Sequence, residues 1–200
     1  MIITTHKITI LLFCALEIAV ILFFMGWTAR ANNDSIEYEI VSPPSCKNNL
    51  GEMVEFTNVD GNRLKSAAGM AKRDQAGAPK IYRFAYQHSP NTLQQFIDFH
   101  ECAHHQTGDL DLPHPPRNSH DHMMNESIAD CIATLRIRDE LDNGKDIVVQ
   151  AVKELVRAML EVGFPISTVD SRKSNIINCL KKDNSAQTFL DDVLKYRGLK

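Results

Sequence analysis

A chain of 200 residues can bury one real hydrophobic core, and 44% hydrophobic with 24% charged residues is ordinary globular composition, not that of a disordered or fibrous protein. A net charge of −3 with no lysine- or arginine-rich run excludes a general nucleic-acid binder, which would carry a basic face. No repeat at a fixed period is visible.

The first segment reads as a targeting element. Lys7 precedes an apolar run from Ile8 to Trp27 broken only by Glu17, and Ala29-Arg30-Ala31 has the small-x-small pattern of a signal-peptidase site. Residues 1–31 are expected to be a secretory signal. A retained membrane anchor, with residues 8–27 as the tether, is the alternative, against which the mid-span carboxylate of Glu17 counts. Either reading places residues 32–200, as a single domain, outside the cytoplasm: periplasmic, secreted or membrane-anchored. Cys46, Cys102, Cys131 and Cys179 then form an even set in a disulfide-permissive setting, and four cysteines allow three pairings.

An irregular lead-in, residues 32–50, precedes a candidate strand at 52–59 closed by Asp60-Gly61. Residues 65–72 read as a short helical piece and 75–79 as a turn. Lys80 to Tyr86 alternates polar and apolar residues and predicts a strand. The pattern is helical from there on. Ser89-Pro90 supplies an N-cap and first-turn proline, Leu93, Phe96, Ile97 and His100 follow at helical spacing, and Gly108 stops the helix. Residues 109–124 read as a Pro/His/Asp-rich loop. Further helices are expected at 125–141, at 146–162 with a broad apolar stripe, and near 171–181 and 185–196. The expected fold is α+β: a small N-terminal antiparallel sheet, then a helical bundle.

The chemistry concentrates in His100-Glu101-Cys102-Ala103-His104. Helix positions four apart lie about 40° apart around the axis, so both imidazoles leave one face and can share a metal ion. Glu101 flanks that face, where it can take a proton from metal-bound water and deliver it to a leaving amine. A chance match is the competing reading, made easier by the crowding of histidines between 100 and 122. Zinc requires a third protein ligand. The metzincin extension would need Gly and His where Thr107 and Leu110 stand, so it is excluded. Glu126, at the start of the next expected helix, is the candidate. Asp130, one turn further on the same face, can accept a hydrogen bond from the far nitrogen of a ligand histidine. Two imidazoles and a carboxylate suit zinc better than manganese or iron.

His100-Glu101-Cys102-Ala103-His104 together with Asn125-Glu126-Ser127-Ile128-Ala129-Asp130 resembles the gluzincin, or thermolysin-like, clan of metallopeptidases. More narrowly, it is similar to small exported bacterial metallopeptidase-type proteins with HECxHH followed by ExxADC. The likeness covers residues 80–142. It implies a zincin-like fold, one catalytic zinc on His100, His104 and Glu126, a catalytic Glu101, and Asp130 behind a ligand. The chain is far shorter than thermolysin and shows no counterpart of the domain carrying its transition-state-stabilising histidine, so that role is unassigned.

The expected activity is zinc-dependent hydrolysis of a peptide or protein substrate laid along the Lys80–Tyr86 strand. A metal-binding or structural envelope module without turnover is the rival reading. A Cys102–Cys131 bridge would pin the two ligand helices, leaving Cys46–Cys179 to tie the lead-in to the C-terminal helices; buried free thiols are the bland alternative. Thiolate ligation by Cys102 is disfavoured, since it points away from both histidines on an ideal helix. His105, Asp109, Asp111, His114, His120, Asp121 and His122 read chiefly as a solvated lid, with a second metal site, closure over the cleft or stabilisation of the tetrahedral intermediate as the functional alternatives, and Tyr82 and Tyr86 read as packing residues.

Overall fold

The computed structural model describes residues 37–60, 64–113, 115–116 and 119–200. The expected signal or anchor at 1–31, including the tether at 8–27, and His114 lie outside the described residues. Among the described residues three strands, β1 (Glu55–Val59), β2 (Ala68–Arg73) and β3 (Pro79–Phe84), precede five α-helices: α1 (Asn91–Gln106), α2 (His120–Glu140), α3 (Gly144–Glu161), α4 (Ile166–Leu180) and α5 (Ala186–Tyr196). The fold is α+β, and among these residues no helix is long and apolar enough to cross a membrane.

The sheet is mixed, not antiparallel. Its order is β1-β3-β2, with β1 parallel and β2 antiparallel to β3. The β2–β3 hairpin turns on Asp74, whose side chain accepts from the amides of Ala76 and Ala78, while Gly77 takes a positive φ of 85°. β3 then inserts between the two earlier strands, which makes it central and buries alternate residues such as Ile81 and Arg83. The expected helix at 65–72 is instead largely β2. Its Ala-Gly-Met-Ala-Lys-Arg sequence lacks β-branched residues, so pairing with β3 overrides a local preference that favours helix.

α1 starts at Asn91, but Ser89 does not cap it; the Ser89 hydroxyl accepts from the Ala67 amide at 2.7 Å and so pins the approach to β2. Gly108, at φ 72°, follows the helix end as expected. α2 begins five residues before its apolar pattern, because the Ser119 hydroxyl accepts from the His122 amide at 3.2 Å and caps a polar first turn. α4 likewise starts early, behind Pro165. The turn into α3 needs glycine: a Cβ on Gly144 would lie 2.1 Å from the Ile137 carbonyl oxygen.

Phe96 and Phe99 of α1, Ala133 and Ile137 of α2, Val148 and Val152 of α3 and Ile176 of α4 form one core. Burying each large apolar side chain there stabilises the fold by about 1.5–3 kcal/mol. The α3 stripe is narrower than its sequence suggests, with Val149 and Leu160 exposed.

The disulfides join Cys46 to Cys102 and Cys131 to Cys179, so the expected Cys102–Cys131 and Cys46–Cys179 pairing is wrong. Cys102 leaves α1 on the side facing Val54 and Ile81, whereas Cys131 leaves α2 toward Cys179 and Ala186. Peptide mapping without reductant should recover the 46–102 and 131–179 pairs; a 102–131 cross-link would contradict this arrangement. Replacing Cys131 and Cys179 by serine should cost about 2–4 kcal/mol in denaturant unfolding.

Candidate metal centre

His100 and His104 stand one turn apart on α1, both buried, with their Nε2 atoms 3.2 Å apart. Glu126, in the second turn of α2, reaches them from the facing helix, Oε2 lying 3.4 Å from His100 Nε2 and Oε1 3.5 Å from His104 Nε2. One ligand atom from each residue falls within 4.8 Å of the others, a group able to hold a metal ion.

The far side of each ring decides what these atoms can do. His100 Nδ1 lies 2.8 Å from Asp130 Oδ1, and His104 Nδ1 lies 2.8 Å from Asp109 Oδ2. A carboxylate only accepts, so each Nδ1 carries a proton, and a ring in its neutral form turns the lone pair of Nε2 inward. Two lone pairs and a carboxylate then converge with no donor between them, an arrangement that a cation satisfies. Both orienting carboxylates are themselves held. Arg172 of α4 grips Asp130 with two N–H donors at 2.8 Å each, and Arg197, just beyond α5, donates to Asp109.

The electrostatics point the same way. Burial lowers the pKa of His100, but Asp130 and Glu126 outweigh it and raise it to about 10. Burial would raise Glu126, yet His100, His104 and Arg172 hold it well below the usual carboxylate range. Asp130 is likewise held low against burial by Arg172 and His100, and Asp109 by His104 and Arg197.

Glu101 is next to His100 on α1 and accepts from the Ala71 amide of β2 at 2.7 Å. A Cβ on Gly69 would come within 2.4 Å of Glu101 Cγ, so glycine is what lets β2 lie this close. His100, Glu101, Glu126 and Arg172 face a cavity of about 520 Å³ whose other walls include Met159 and Phe164.

The structure brings together His100, Glu101, His104, Glu126 and Asp130. Asp109, read as part of a solvated lid, is buried against His104, and its only sequence signal is its place just past Gly108. Arg172 and Arg197 escaped sequence reading, since nothing local marks them. Of the other described residues in the expected lid, His122 lines a hollow with Glu126, Asp130 and Arg172, and the rest lie away from the centre. His105 meets the Lys80 carbonyl at 2.9 Å, Asp111 pairs with Arg73, and His120, Asp121 and His122 form the first turn of α2. Tyr86 is buried and donates to Asp98, which also receives Arg83, while Tyr82 faces a separate surface hollow with Lys72 and Asp74. A peptide cannot add as a strand along Lys80–Phe84, because β3 is paired on both sides; the edge beside Glu101 belongs to β2, where the Ala71 amide donates to Glu101.

Because the pKa of His100 is raised to about 10, a divalent metal taken up at its Nε2 near pH 7 should displace about one proton. Affinity should rise roughly tenfold per pH unit from 7 toward 9. Calorimetry in buffers of different ionisation enthalpy measures the release, and its absence would contradict the assignment. In the metal-free protein the raised pKa has the opposite consequence. That proton stabilises the fold fully below the ordinary imidazole value of 6.5, and the contribution is lost as pH rises toward 10. Comparison with protein-family models, with curated proteins and with solved structures finds no match to this chain, so the centre stands on its own distances and charges.

Proposed function

We propose that the protein is a zinc-dependent peptidase of gluzincin type acting outside the cytoplasm. The observation that carries this reading is the convergence of His100, His104 and Glu126 beside the carboxylate of Glu101 at a cavity of about 520 Å³. The donor set fits zinc, which takes imidazole nitrogen and carboxylate oxygen and leaves one position free in catalytic sites. When bound there, zinc supplies a Lewis acid that polarises a carbonyl and brings the pKa of a water toward neutrality.

The chain's own residues account for the remainder. Glu101 is the base that takes a proton at its carboxylate and returns it to the amine nitrogen of the leaving product. Asp130 and Asp109 keep both rings in the tautomer that leaves Nε2 free. An extended peptide finds main-chain partners along the outer edge of β2, in the manner of strand addition. Two disulfides suit an oxidising compartment, in keeping with an exported domain.

Glu101→Gln should abolish cleavage of a broad peptide library while leaving zinc content and Tm within a degree or two of the native protein, since the amide keeps the shape and Glu101 is not a ligand. His100→Ala should lose the metal itself, read by elemental analysis. A native protein that holds zinc but cleaves nothing in the library would favour the metal-binding module instead.

A further inference from the structure

Arg197 belongs to no metal ligand's helix, yet its guanidinium touches the surroundings of two ligands at once. Nη1 donates to the Thr107 carbonyl at 2.8 Å and to Asp109 Oδ1, and Nη2 donates to Asn125 Oδ1 at 2.8 Å. Thr107 and Asp109 belong to the turn that closes α1 after His104, and Asp109 holds the His104 ring; Asn125 immediately precedes Glu126 on α2. The side chain is only 9% exposed and Asp109 only 4%, so this is a buried fork, not a loose surface pair.

We propose that Arg197 is a positioning residue for metal binding, which joins the two helices that must meet at one ion by bracing His104 through Asp109 and Glu126 through Asn125. The inference rests on the metal-site reading above. The physical reason is rigidity: His104 and Glu126 come from different helices, and a ligand pair held only by its own side chains must lose that freedom when the ion binds. A planar guanidinium spans three acceptors in fixed directions. A lysine ammonium cannot, although it keeps the charge.

The test uses the full chain and zinc itself, with affinity measured by chelator competition and the site's shape read from the visible spectrum of the cobalt(II)-loaded protein. Arg197→Met should weaken zinc binding about 10–100-fold and shift the cobalt spectrum. Arg197→Lys should recover little of either. Arg138→Met is the matched control: Arg138 is nearly as buried but holds the Lys182 and Asn184 carbonyls away from the centre, so its loss should lower Tm without changing zinc affinity or spectrum. If Arg197→Met fails to fold, Asn125→Ala decides, because alanine suits the helix and removes only the tie beside Glu126; the same direction of change is expected, at several-fold. Native affinity and spectrum in the folded Arg197 or Asn125 variant would overturn the inference while leaving the metal site intact. Failure of the native chain to take up zinc would overturn both.

Discussion

Three electron-pair donors from two helices face one another at 3.2–3.5 Å, and much of the rest of the structure serves to keep them there. Left without a proton or a metal, they would repel. The surroundings do not relieve this, because they add charge of both signs: Glu101, Glu126, Asp109 and Asp130 bring four carboxylates against the two guanidiniums of Arg172 and Arg197. Two negative charges are left over, which a divalent cation balances. The raised pKa of His100 is the same imbalance expressed with a proton, which neutralises only part of it.

Holding that unbalanced group in place requires bracing from outside the ligand helices. Each histidine has a carboxylate behind it, and each carboxylate an arginine from the C-terminal third of the chain. The two disulfides act on the same helices at different points. Cys46–Cys102 fastens the lead-in to α1 on the side away from the imidazoles, where Arg136 also reaches the Cys102 sulfur and the Ser45 carbonyl. Cys131–Cys179 fastens α2 to α4, the helix that carries Arg172. The bridges therefore secure each ligand helix to its own support, and the space between the helices is left to the centre.

What could be read in advance follows from the range of the forces involved. His100, His104 and Asp130 sit at helical spacings, so one periodic pattern puts each on its face, and Gly108 announces its own turn. β2 is not legible locally, because Ala, Met and Lys carry no strand signal and only the register with β3 makes them extended. The start of α2 is hidden from the apolar pattern because its first turn is polar and rests on the Ser119 cap. Arg172 and Arg197 lie 42 residues from Asp130 and 88 from Asp109, and no local pattern spans such separations. The cysteine pairing failed for a related reason. Sharing a pair of ligand helices says nothing about direction, and Cys102 and Cys131 point to different sides.

The openness of the centre bears on whether it is a strut or a working site. A zinc that only holds a fold prefers four protein ligands and a closed shell. Here the group has three, and while the two histidines are buried, the Glu126 side chain remains 35% exposed. The exposed side opens on the cavity that Glu101 also lines. Helix α1 and α2 are already joined by an extensive apolar core and each carries a disulfide, so holding them together does not require an ion. A half-buried carboxylate, Glu101, set beside the partly exposed Glu126, with a glycine in β2 clearing room for it, is costly to maintain for structure alone. That cost is intelligible if the fourth position serves a reacting water and the cavity serves a substrate.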